Sequence, residues 1–264
     1  MINVAARAGV NLIRTGPRGG PPVVLLHSGG LDLTYWEHQI GALRDDRDVI
    51  AFDLPGHGAT PGVAGDWTEE AATDVVLGVL RGLGRPVHLV GLSLGGMLAQ
   101  TAAVAAPESV SSLTLIDTAA QFSEAGRASM RARAAVARSE GMPGVLDGLL
   151  EHWFTAETRR RRPDLVDRAV KTLLADDPLV HAAMWEMIAG FDRAADLPSI
   201  TCPALVVVGE HDSSSPLAAA RQLRDGIPGA RLRVVPSAAH LSPLEKPAVV
   251  HGHLTGFLAT LADA

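Results

Sequence analysis

Short apolar runs alternate with stretches of helical periodicity along almost the whole chain. VVLLH at 23–27, VIAFD at 49–53, VHLVG at 87–91, LTLID at 113–117, ALVVVG at 204–209 and LRVVP at 232–236 are rich in Val, Ile and Leu and lack polar alternation. Strands covered on both faces of a parallel sheet read this way, because neither face meets water. Between them, residues 68–83, 96–105, 217–227 and 247–261 carry helical spacing. Thr68 followed by Glu69 and Glu70 supplies the first of these helices with a cap and an acidic first turn. Strand–helix–strand repetition predicts an α/β fold, a doubly wound and mostly parallel sheet with right-handed crossovers. An early hairpin is expected over residues 2–14.

One stretch breaks the rhythm. Residues 119–197 contain no strand-like run, and RASMRARAAVARSEGM, PGVLDGLLEHWF, RPDLVDRAVKTLLADD and PLVHAAMWEMIAGF read as four helices separated by Gly, Pro and Asp. Such an excursion is too long for one crossover helix. It is read as a helical lid, 119–197, inserted into a core formed by 1–118 and 198–264. Its place at the carboxyl ends of the strands is where open α/β sheets bind ligands.

Composition narrows the class. The chain is 47% hydrophobic and 20% charged, with a formal net charge of −6, which argues against a nucleic-acid partner. The one basic run, RRRR at 159–162, reads as a solvated helix face. A single cysteine, Cys202, cannot close an internal disulfide; it reads as a small buried residue at a strand entry and fits a reducing, cytoplasmic setting. No apolar run reaches the ~18 residues of a membrane span, and MINVAARAGVN lacks a signal-peptide core. Histidines at convincing zinc spacing are absent from the pattern, so no metal and no cofactor are expected.

The sharpest local feature is Gly91-Leu92-Ser93-Leu94-Gly95, between the apolar run VHLVG and the helical run GGMLAQTAAVAA. A serine on a tight strand-to-helix turn needs small flanking residues, and the turn lifts its hydroxyl to a helix N-terminus where negative charge is favoured. That hydroxyl needs a base, and the base needs an orienting carboxylate, in the chain order Ser, acid, His. His240 ends LRVVPSAAH in a loop before the closing helix, whereas His251 and His253 fall within that helix. Asp212, after ALVVVGEH, is the favoured acid; Asp117, ending LTLID, competes for the role. The backbone N–H of Leu94 and that of Gly29 (or alternatively Ser28) in His27-Ser28-Gly29-Gly30 would stabilise an oxyanion. His27 is read as a loop-shaping residue.

Together with Asp53-Leu54-Pro55-Gly56-His57-Gly58, these motifs resemble the α/β-hydrolase superfamily over essentially the whole chain. The resemblance implies the α/β-hydrolase fold and structural roles for Asp53 and His57. The segment from Asp117-Thr118-Ala119-Ala120 through Arg133 and Ala137-Arg138-Ser139-Glu140-Gly141-Met142 to His152-Trp153-Phe154-Thr155 is similar to the lid of 3-oxoadipate enol-lactonases. That likeness implies a small-molecule ester or lactone substrate. Arg133 and Trp153 fall where the lid pattern carries an arginine and a tryptophan, and an arginine over an apolar pocket suits a substrate carboxylate. Two positions depart from the pattern: HSGG replaces a more polar loop, and Met130 stands where a lid tryptophan is expected.

The expected activity is hydrolysis of carboxylic esters or lactones by Ser93, His240 and Asp212 through an acyl-enzyme. Cofactor-free perhydrolases, carbon–carbon bond hydrolases and acyltransferases share such a triad; a non-catalytic small-molecule receptor is the reading from another class. Trp36, Met97, Met130, Trp153, Met184 and Trp185 are candidate pocket residues beside Ser28 and Arg133. Aromatics are few, with 5 Phe, 4 Trp and 1 Tyr, and three of the tryptophans (Trp36, Trp153 and Trp185) fall near the oxyanion loop or in the lid.

Overall fold

A computed structural model describes residues 9–62 and 67–262. Its strands are β1 (Leu12–Thr15), β2 (Val23–Leu26), β3 (Val49–Phe52), β4 (Val87–Leu92), β5 (Val110–Ile116), β6 (Ala204–Gly209) and β7 (Arg231–Val235), joined in one sheet in the order β1-β3-β2-β4-β5-β6-β7. All neighbours from β3 to β7 pair in parallel. β1 runs antiparallel to β3, with Leu12 opposite Phe52.

Of the hairpin expected over 2–14, the first arm, residues 2–8, lies outside the described residues. The second arm, as β1, saturates the free edge of β3, which would otherwise present unpaired N–H and C=O groups.

The uninterrupted apolar runs follow from a two-sided core. Val24, Leu26, Ile50, Phe52, Leu89, Leu115, Val206 and Val208 pack on one face, and their neighbours Val23, Leu25, Val49, Ala51, Val90, Ile116, Leu205 and Val207 on the other. Successive side chains of a strand point to opposite faces, so both sets must be apolar.

Helices supply the covers. Those of six residues or more are, in chain order, α1 (Glu37–Leu43), α2 (Glu69–Leu83), α3 (Leu94–Ala105), α4 (Glu124–Glu140), α5 (Met142–Trp153), α6 (Ala156–Arg161), α7 (Pro163–Leu174), α8 (Pro178–Gly190), α9 (Leu217–Gly226) and α10 (Pro247–Ala262). Thr68 caps α2 as expected, its side chain accepting from Ala71 N–H at 3.1 Å.

Five helices, α4 to α8, intervene between β5 and β6, where the sequence suggested four. The extra helix, α6, is opened by Thr155, whose hydroxyl accepts from Thr158 N–H, and Pro163 then starts a new helix. The arginines at 159–162 are exposed. The two ends of the inserted segment are tied by a bridge between Gln121 and Asp192 and by Arg193 N–H donating to Ala120 O at 2.8 Å. Cys202, just before β6, is half-buried. Among the described residues, no helix is long and apolar enough to cross a membrane.

Burial of histidines sets a pH dependence of stability. Desolvation holds His27, His57 and His88 at about 4 and His181 at about 3, so all four stay neutral in the folded chain and charge on unfolding below the ordinary imidazole value. The unfolded chain then binds more protons, so stability is lost as pH falls from about 6.5 toward 4. Asp117, Asp176 and His240, all raised, oppose this but are fewer. Urea midpoints measured between pH 4.5 and 6.5 are expected to rise with pH.

Candidate active site

β4 runs into α3 through Ser93, whose φ of 53° and ψ of −113° are a rarely populated conformation for a residue with a Cβ. The turn closes tightly enough to demand glycine on both sides. A Cβ on Gly91 would run into the Gly95 carbonyl, and one on Gly95 into the carbonyls of Leu26 and His27. Two hydrogen bonds hold the strained residue: Ser93 N–H donates to Ile116 O at 2.9 Å, and Thr118 Oγ1 donates to Ser93 O at 2.8 Å. Strain is thus fixed by the neighbouring strand end.

His240 reaches the same point from beyond β7. Its Nε2 lies 2.8 Å from Ser93 Oγ, and its Nδ1 lies 3.0 and 2.9 Å from the two carboxylate oxygens of Asp212. Since Nδ1 faces a carboxylate, it carries the proton of the neutral ring and leaves Nε2 to accept from the serine hydroxyl. Asp212 is itself fixed by Ser214 N–H at 2.8 Å and Ser215 N–H at 2.9 Å. Burial alone would push the His240 imidazole down, but the charge and hydrogen bond of Asp212 overcome it, and the ring sits above its ordinary value.

Asp117, the competing acid, does something else. Its two oxygens accept from Gly209 N–H at 2.8 Å and Ser242 N–H at 3.0 Å, which clamps the end of β6 to the backbone just past His240. Burial, and then the charge of Asp212, push its carboxyl up to about 8. It makes no hydrogen bond to His240 among the described residues.

The loop after β2 is shaped by His27. Its Nε2 accepts from Leu54 N–H at 2.8 Å, so Nδ1 is the donor to Ser28 O, also at 2.8 Å. Asp53 accepts from Leu33 N–H, Ala59 N–H and Asn11 Nδ2, and His57 Nδ1 bonds Pro55 O at 3.0 Å. Both residues hold turns. Among the described hydrogen bonds no acceptor of the chain takes the N–H of Gly29 or Leu94, and Leu94 begins α3, where N–H groups lack intrahelical partners.

The cavity that touches Ser93 and His240 is small, about 20 Å³. Ser28, Gly29 and Leu94 form one side; Leu149, Trp153, Trp185 and Ile188 from α5 and α8 close the other, with Ser214 at the rim. Above it, Trp185 Nε1 donates to His181 Nε2 at 2.7 Å, and the Arg133 guanidinium stacks 4.3 Å from the Trp185 ring centroid. No carboxylate pairs with Arg133 among the described residues, and burial pushes its guanidinium down to about 10. It is a half-buried cation without a counter-charge.

A model of the alpha/beta hydrolase family matches residues 23–252. The chain belongs to the alpha/beta hydrolase family. It is 29% identical over 240 residues to 3-oxoadipate enol-lactonase 2 of Acinetobacter baylyi, covering 90% of this chain and 88% of the relative. The enol-lactonase of Burkholderia xenovorans LB400 superposes with a TM-score of 0.90 at 31% identity, over 95% of this chain and 96% of that one. A thermophilic esterase of Thermogutta terrifontis superposes with a TM-score of 0.87, also at 31% identity, over 96% and 93%.

In this alpha/beta hydrolase the residues singled out from sequence divide by position. Ser93, Asp212 and His240 meet in one hydrogen-bonded series; Ser28, Gly29, Leu94, Trp153 and Trp185 line the cavity beside them. Met184 is fully buried, with its sulfur against Gly29. Met130 lines a larger neighbouring cleft, while Trp36 and Met97 are packed into the two core clusters. Sequence reasoning passed over Leu149, Ile188 and Ser214. Ile188 lies four residues beyond Met184 on α8, a spacing that could have disclosed it.

Proposed function

We propose that this alpha/beta hydrolase cleaves carboxylic esters or lactones, with Ser93 as nucleophile, His240 as general base and acid, and Asp212 as the orienting carboxylate. The observation that carries the reading is the unbroken series from Asp212 through His240 to Ser93, with bonds of 2.9 and 2.8 Å, ending at a strained turn. Ser93 Oγ attacks the carbonyl carbon as its proton passes to His240 Nε2. The N–H groups of Gly29 and Leu94 then take the charge on the carbonyl oxygen, a contribution of about 3 kcal/mol for a well-placed donor. His240 protonates the leaving oxygen, and the acyl group stays on Ser93. Water, deprotonated by His240, attacks the acyl carbon, and the carboxylate product leaves as Ser93 recovers its proton.

Residues 119–197 act as the lid of this site, excluding water and supplying the apolar wall. Stacked on Trp185 of that wall, Arg133 is the group for a substrate carboxylate, since a half-buried cation without a counter-charge gains most from an anion that brings its own charge. An enol-lactone carrying a free carboxylate supplies both groups this chemistry calls for, an acyl carbon for Ser93 and an anion for Arg133, in line with the names of the enol-lactonase relatives. One free cysteine is compatible with a cytoplasmic setting.

The pH profile tests the triad. His240 must be neutral to accept the serine proton, so kcat/KM is expected to rise with pH along an acid limb centred above 6.5, the ordinary imidazole value. In Asp212→Asn the raising charge is gone while burial remains, so the limb should move to lower pH. A wild-type limb at or below 6.5, or one indifferent to Asp212→Asn, would contradict the assignment.

A further inference from the structure

Beside the Ser93 cavity lies a much larger cleft of about 630 Å³, in the size range of small-molecule sites, that the proposed mechanism leaves unused. Its walls come from the segment after β5, the first turns of α4, the turn after Asp212 and the first turns of α9. None of the side chains lining it is charged, in a chain where 20% of residues are. Gln121, Gln222 and Ser213 provide neutral hydrogen-bonding groups, between apolar Phe122, Met130 and Ala218.

The two spaces share one residue. Ser214 lines both, and its N–H is bonded to Asp212 Oδ1 at 2.8 Å. The neighbouring Ser213 Oγ lies 2.7 Å from Nδ1 of His152, near the end of α5. The septum is therefore one turn, held by the acid on one side and by the lid on the other. The cleft opens on the side of the reacting centre where His240 and the acid loop stand, and His240 is the group that must protonate the departing oxygen. At about 20 Å³ the space at Ser93 holds little beyond a water molecule. A substrate with more than a few atoms past its ester oxygen has this cleft as the nearest room.

We infer that the cleft is the leaving-group subsite, and that it takes an uncharged alkoxy arm with a medium-length apolar chain and an amide or ester carbonyl. The inference rests on Ser93 being the nucleophile. A charged arm would lose its hydration to a wall with no counter-charge, whereas the carboxamides of Gln121 and Gln222 offer both a donor and an acceptor to an amide.

Three acetate esters followed by proton release test it: ethyl acetate, N-(2-acetoxyethyl)hexanamide, and 6-trimethylammoniohexyl acetate. The amide ester is expected to exceed ethyl acetate by about 10-fold or more in kcat/KM, and the cationic ester to show no such gain. Ala218 is exposed, so Ala218→Trp fills the cleft without touching the core; it should abolish the gain and leave ethyl acetate unchanged. Gln222→Leu, a second variant, should reduce the gain for the amide ester alone. Equal rates for the amide ester and ethyl acetate in the wild type, or a gain that survives Ala218→Trp, would overturn the subsite. Ethyl acetate hydrolysis that persists in Ser93→Ala would instead bring down the nucleophile on which it rests.

Discussion

Replacing Ser93 with alanine is expected to lower kcat for a p-nitrophenyl ester by about 10³-fold or more, with the variant folded and its KM little changed. The hydroxyl has one partner among the described hydrogen bonds, His240 Nε2 at 2.8 Å, so removing it costs no scaffold contact. What disappears is the covalent route itself. Alanine keeps the one Cβ that serine already places in the strained turn, so the substitution adds no new clash. A residual rate above water is still expected, since the Gly29 and Leu94 N–H groups remain in place to take up oxyanion charge. Steady-state kinetics with a p-nitrophenyl ester, beside labelling of the wild type and the variant by a fluorophosphonate, gives the answer. Undiminished turnover in Ser93→Ala would mean that another group performs the attack.

The inner strands could be read from the sequence because burial on both faces forces continuous apolar runs; β7, read from the run LRVVP, lies at the sheet edge and is largely exposed, only Val235 being buried. The pairing of β1 with β3 could not be read, since a short edge strand carries no local mark of its partner. α6 was hidden for a different reason: its arginines signalled only a solvated surface, and the cap at Thr155 came before a segment with no apolar periodicity. In the site, strand ends disclosed Ser93, Asp212, Asp117 and His240, because carboxyl ends of parallel strands lie side by side. Which aspartate stands against His240 depended on a contact between distant loops. Trp36 carried the expectation of a pocket ring, yet its indole is packed into a core cluster with Nε1 unpartnered. The hydrogen bond between Trp185 and His181 follows their spacing on α8, but the stacking of Arg133 joins two helices far apart in sequence.

The stacked arginine leads to a second large effect, expected in substrate choice. Arg133→Ala should lower kcat/KM for a lactone bearing a free carboxylate by about 10²-fold, and change that for the matching neutral lactone by less than about 3-fold. The size follows from the setting. Arg133 is half-buried, has no carboxylate partner among the described residues, and lies 4.3 Å from the ring of Trp185, which itself lines the Ser93 cavity. A charge held this way keeps a poor hydration shell in the free enzyme, so an incoming carboxylate repays desolvation that has already been spent. Arg133→Lys separates charge from geometry: it retains the cation, loses the planar fork and the stacking, and should recover only part of the loss. Were Arg133 merely a brace for Trp185, its removal would loosen the cavity wall and depress both lactones alike. A comparison of the two lactones across wild type, Arg133→Ala and Arg133→Lys distinguishes these cases, because only recognition of the carboxylate makes the ratio fall.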